Sequence, residues 1–156
     1  MNYRYFPDDQ KVLDALLKVF SKQIEYRADK IKDNIADFEG IIIDAMAILR
    51  ILDPTGARNY SRAKERVKII KKKWPNIPDA PNLLRIIRNK FEHFEEYYDE
   101  WFSTAQGPHV SDIDSTFLML YRVDHYDKKI YYMEHELSII DVKRWVQGVN
   151  QIINKK

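Results

Sequence analysis

The chain has 156 residues, 45% hydrophobic and 32% charged, and its 26 Lys and Arg offset 24 Asp and Glu to a formal net charge of +2. That length is one domain's worth and can bury roughly 70% of the surface the unfolded chain exposes; the balance excludes a disordered chain and leaves nucleic-acid affinity to the distribution of charge rather than its total. With no cysteine, a disulfide framework, a Cys-ligated zinc, an iron–sulfur centre and a thiol nucleophile are excluded.

The first ten residues, MNYRYFPDDQ, hold no apolar run, so no secretory signal is expected. The longest apolar run, around residues 41–49, is broken by Asp44 and is too short to span a bilayer. A cytoplasmic protein without a membrane partner is the expectation.

Residues 8–36 predict a helix, capped by Asp8 or Asp9, whose carboxylate can accept from the free N–H groups of the first turn. Leu13, Leu17, Phe20, Ile24, Ala28, Ile31 and Ile35 recur at steps of three and four, one apolar stripe between charged residues. Residues 38–52 are apolar nearly all round, which predicts a central helix buried by its neighbours. Asp53-Pro54-Thr55-Gly56 ends it. Residues 59–74 predict a third helix on Tyr60, Ala63, Val67, Ile70 and Trp74, followed by a stiff Pro75 to Pro78 linker.

Residues 80–102 predict a fourth helix with Pro81 in its first turn. Its core stripe is Leu84, Ile87, Phe91, Phe94, Tyr98 and Trp101. A loop over 103–114 follows. Residues 116–123 and 130–135 are rich in β-branched and aromatic side chains and predict a β-hairpin. Ser138 with Asp141 resembles a capping box, and Val142, Trp145, Val146, Val149, Ile152 and Ile153 make a last amphipathic helix to the C-terminus. The expected fold is mainly α: an antiparallel bundle of four to five helices with a C-terminal two-stranded β-hairpin, in a single domain over 1–156. An isolated hairpin is marginal in water, so this one should pack on the bundle or on a partner.

The stretch from Leu83 to Trp101 is the informative one. With Arg88 at zero and about 100° per residue, Glu92 falls near 40°, Asn89 near 100° and His93 near 140°, all off a core stripe centred near −90°. The helix therefore offers an Arg, an Asn and a His on its polar side. Arg is the natural phosphate fork, and an ordinary imidazole can exchange a proton near neutrality.

Arg88-Asn89-Lys90-Phe91-Glu92-His93 resembles the R-N-x-x-x-H signature of the HEPN superfamily, small helical bundles found in many toxin–antitoxin, CRISPR-associated and RNA-processing nucleases. The helix order over residues 8–102 fits the resemblance. Residues 103–156, with the loop, hairpin and last helix, lie outside it. The resemblance implies a metal-independent endoribonuclease acting as a homodimer, with two motif helices meeting in one cleft and no cofactor. It gives Arg88 the scissile phosphate, His93 the proton and Asn89 the orientation of both. Single-stranded RNA suits this chemistry because the 2′-OH is an internal nucleophile that DNA lacks. An antitoxin or another protein partner is the further implication. Toxin members carry a Tyr two residues after the His as a target for adenylylation; here that position is Glu95, so this regulation is not expected.

Eight basic residues, Arg58, Arg62, Lys64, Arg66, Lys68, Lys71, Lys72 and Lys73, stand against the single acid Glu65 in the third helix region. They are candidates for RNA binding. Equally, the run could be a structural face set against the acidic Glu92, Glu95, Glu96, Asp99 and Glu100. No metal site is expected. His93 with Glu96 is an isolated i,i+3 pair, and neighbours in Glu134-His135-Glu136 would alternate across a strand. The rival reading is a non-catalytic interaction or scaffold protein that uses the same dimer surface and offers a hairpin edge to a protein partner.

Overall fold

The computed structural model describes residues 10–34, 36–96, 99, 121–132 and 134–155. The expected Asp8 or Asp9 cap, the 103–114 loop, and Tyr98, Glu100 and Trp101 lie outside the described residues. The fold is mainly helical, with a small antiparallel sheet near the C-terminus. In chain order the elements are α1 (Gln10–Asp33), α2 (Phe38–Leu52), α3 (Tyr60–Lys73), α4 (Leu84–Glu92), β1 (Tyr121–Asp124), β2 (Lys129–Tyr132), β3 (His135–Ser138) and α5 (Ile139–Ile153).

α1 buries Leu17, Ile24, Ala28 and Ile31 from its apolar stripe. It stops at Asp33 rather than continuing to 36. The Asn34 side chain accepts from the N–H groups of Ala36 at 3.2 Å and Asp37 at 2.9 Å, which turns the chain instead of extending the helix. Asp37 then caps α2 by accepting from the Gly40 N–H at 2.8 Å. Gly40 makes room for this cap, since a Cβ there would collide with the Asp37 carboxylate.

α2 is the central element. It buries Phe38, Ile41, Ile42, Ala45, Met46, Ile48, Leu49 and Leu52, and packs on α1, α3, α4 and α5. One polar group is buried with them. Asp44 pairs with Arg27 at 2.5 Å and Lys30 at 2.8 Å, both from α1. Burying a carboxylate is costly unless it is paired, and this one has two cations.

α3 starts on Asn59, whose side chain accepts from the Arg62 N–H at 3.2 Å, and buries Ala63, Val67 and Ile70. α4 is much shorter than the expected 80–102. Ala80 precedes Pro81 and is thereby biased away from helical dihedrals. A turn closes instead, with the Leu84 N–H on the Pro81 carbonyl at 3.0 Å. At the other end His93 leaves helical geometry (φ −120°, ψ 31°) and caps the helix. Residues 94–96 are helical again beyond this break. The phase of the aromatic stripe is lost across it. Leu84 and Ile87 are buried, but Phe94 is 51% exposed instead of joining the core.

The expected two-stranded hairpin is corrected to a three-stranded sheet of order β1-β2-β3. Tyr121 pairs with Tyr132 and Asp124 with Lys129, and then Lys129 pairs with Ser138 and Tyr132 with His135. The stretch read as one strand over 130–135 reverses between Tyr132 and His135. Ile130, Tyr132 and Leu137 face the interior, so the sheet packs on the helices, with β3 against α4 and α5. In the β1–β2 turn Asp124 accepts from the Tyr126 and Asp127 N–H groups, and Lys128 takes a left-handed φ of 56°. Ser138 caps α5 by accepting from the Asp141 N–H at 3.2 Å. Among the described residues no helix is long and apolar enough to cross a membrane.

Candidate functional site

α4 lies on the central helix and on β3, with Leu84 and Ile87 buried beneath it. That packing fixes its rotation and turns Arg85, Arg88, Asn89 and Glu92 away from the core. Arg88 is nevertheless enclosed, with a side chain only 12% exposed. Its guanidinium donates to the Glu92 carboxylate one turn ahead and to the Asn89 side-chain oxygen at 3.3 Å. Burial and then the neighbouring charge of Arg50 lower its pKa, against the opposing pull of Glu92. The group stays a cation at any physiological pH.

Arg88 and Asn89 thus meet through their side chains. His93 is joined to them through the backbone, its N–H donating to the Asn89 carbonyl at 3.1 Å. Its imidazole is exposed beyond the helix end, with Nδ1 3.5 Å from a Glu96 carboxylate oxygen. The ligand atoms of His93, Glu95 and Glu96 lie within 4.8 Å of one another. All three are exposed, and a surface group of carboxylates is no metal site by itself. Glu134 and His135 do not part as a strand would part them: Glu134 precedes β3 and its carboxylate lies 3.0 Å from the His135 Nε2, while Glu136 pairs across the strands with Lys129 at 3.1 Å.

The basic run divides in two. Arg66 is a structural residue that donates to the carbonyls of Arg50 at 2.8 Å and Ile51 at 3.3 Å, satisfying free acceptors at the end of α2. Lys73 stands over the Trp74 ring at 5.1 Å. Lys64, Lys68, Lys71 and Lys72 are exposed, without a hydrogen bond or ion pair among the described residues. The described ion pairs include none from α3 to Glu92, Glu95, Glu96 or Asp99. Arg58 and Arg62 are exposed at the start of the same helix.

Three neighbouring residues carried no functional signal in the sequence. Arg85 binds Asp53 at 2.9 Å and the Thr55 carbonyl at 2.9 Å, locking α4 to the end of α2. Partial burial pushes the Asp53 carboxyl up, but hydrogen bonds from Thr55 and the Arg85 guanidinium outweigh it and hold the group below the usual carboxylate value. Arg50, on the last turn of α2, is exposed. An open cleft of about 510 Å³ lies beside this junction, lined by Leu49, Leu52, Asp53, Arg85 and the Ile77–Asn82 linker among others.

No protein-family model, curated protein or solved structure matches the chain.

Proposed function

We propose that the chain is a metal-independent endoribonuclease of the HEPN type, acting as a homodimer on single-stranded RNA. The observation that carries this reading is the arrangement at the end of α4. There a largely enclosed Arg88 is oriented by Asn89, and an exposed His93 imidazole follows one turn later. The exposed lysines of α3 support it as a surface for the RNA backbone. In the reaction, His93 takes the proton of the 2′-OH as its oxygen attacks phosphorus. The P–O5′ bond breaks, and the leaving oxygen is protonated by the second imidazole of the dimer or by water. The products are a 2′,3′-cyclic phosphate and a 5′-OH, while Arg88 offsets the charge on the phosphate.

Labelled single-stranded RNA should be cut by the purified protein in EDTA and left intact by the Arg88→Ala/His93→Ala double variant. A substrate with 2′-deoxyribose at the scissile position should survive. Cleavage of the deoxy substrate, or by the double variant, overturns the reading. The second reading, a non-catalytic protein that binds a protein partner, is favoured by the Arg88–Glu92 ion pair, which already engages one amino group of the guanidinium. Inertness of the wild-type chain toward RNA would select it.

A further inference from the structure

Three arginines flank the junction of α2 and α4: Arg50 on the last turn of α2, and Arg85 and Arg88 a turn apart on α4. The Asp53–Arg85 bridge fixes the contact between the end of α2 and the start of α4. One turn back along α2 from Asp53 is Arg50, and one turn on along α4 from Arg85 is Arg88. Arg88 senses the charge of both Arg50 and Arg85. Of the nearby carboxylates, Asp53 is committed to Arg85 and Glu92 to Arg88, and Asp79 lines the same cleft as Arg85. Arg50 makes no side-chain hydrogen bond or ion pair among the described residues. Arg66 reaches the same place from α3, donating to the Arg50 carbonyl. Arg50 therefore stands between the basic helix and the motif arginine.

Like charges so placed repel, and a group bearing two or more anionic oxygens relieves the repulsion while filling both forks. We infer that Arg50 and Arg88 together bind a phosphate group, with Arg50 the first contact for a backbone entering from α3. The choice of an RNA phosphodiester as that group rests on the nuclease reading; the anion site itself does not. Arg50 is then a binding residue that the R-N-x-x-x-H pattern does not include.

Two probes separate the claims. Isothermal titration with inorganic pyrophosphate should show binding that Arg50→Gln weakens on the order of tenfold or more, the scale of a lost charged hydrogen bond. Fluorescence anisotropy with a 2′-O-methyl RNA, which cannot be cut, should show Arg50→Gln reducing the log–log salt slope by about 0.7. The variant should melt as the wild type does, because the side chain is exposed and Arg66 uses only its backbone carbonyl. Pyrophosphate bound through Arg50 by a chain that neither binds nor cuts RNA sustains the anion site and removes the nuclease. RNA cut normally, with pyrophosphate unbound or Arg50→Gln indistinguishable from wild type, overturns this inference and spares the nuclease.

Discussion

Glu92 decides how much of Arg88 is available to a substrate. It holds the guanidinium across one turn of α4, with Arg on the N-terminal side, the orientation that benefits a helix less. Glu92 is 41% exposed on its side chain, so the pair contributes about 0.3–0.5 kcal/mol. A phosphodiester with two oxygens for the fork can displace it. Glu92→Gln should therefore change urea stability by less than about 0.5 kcal/mol while raising RNA cleavage several-fold at low substrate concentration. Unchanged cleavage would mean that the pair does not compete with the substrate. Asp53 has a different part, holding α4 in place. Its folded-state pKa is depressed, so it stabilises the fold fully above its unfolded value and the benefit disappears as pH falls through the lower folded value. Urea denaturation should find Asp53→Asn less stable than wild type at pH 7, with the gap closing below about pH 4. A gap that stays constant to about pH 3 would show that the Arg85 bridge is not what the carboxylate contributes.

At the scale of elements, α3 is attached lightly, through Ala63, Val67, Ile70 and the Arg66 bonds to α2, and its lysines remain available to solvent. Lys71→Glu with Lys72→Glu should weaken RNA binding and lower the log–log salt slope by about 0.7 for each phosphate that is no longer neutralised. The fold should persist, at a cost of up to about 1 kcal/mol per residue from reversed charges at a helix C-terminus. An unchanged slope would assign the run to the helix dipole alone. α2 and α3 were legible in the sequence to within a residue, and α5 at its start, because apolar spacing and an Asp, Asn or Ser cap coincide at those boundaries; α5 stops at Ile153 rather than running to the C-terminus. α4 was not, since Phe94, Tyr98 and Trp101 continue the spacing beyond His93 and no Gly or Pro marks the stop. Spacing states which face would be apolar if a helix continued; it does not say that the helix runs unbroken. β3 was hidden similarly, because the reversal after Tyr132 uses neither Asn nor Gly. Within the site, Arg88 and Asn89 were legible because they are adjacent. Arg85 with Asp53, 32 residues apart, and Asp44 with Arg27 and Lys30 are pairings between helices, and a single sequence carries no signal of such partners.

The whole molecule carries one Arg88 and one His93, and the two side chains are engaged differently. Arg88 is held by Glu92 and Asn89 along α4, whereas the imidazole lies beyond the helix end beside Glu96. One copy therefore presents no converged pair to a phosphate, while two copies related by a two-fold axis can place an Arg from one protomer opposite a His from the other. Light scattering should give twice the protomer mass at micromolar concentration. The stronger test mixes Arg88→Ala protein with His93→Ala protein under conditions that exchange protomers. If the shared cleft pairs Arg88 of each chain with His93 of the other, the mixed dimer has one intact Arg–His pair and one pair with neither group, and water then protonates the leaving oxygen. Half of the dimers are mixed at random pairing, so the mixture should recover about a quarter of wild-type cleavage from two inactive parents. Arg–His pairs drawn from the same protomer would recover nothing, because no chain in the mixture carries both. A dimer with no recovery would thus keep the association and discard the shared cleft, and a monomer would discard both.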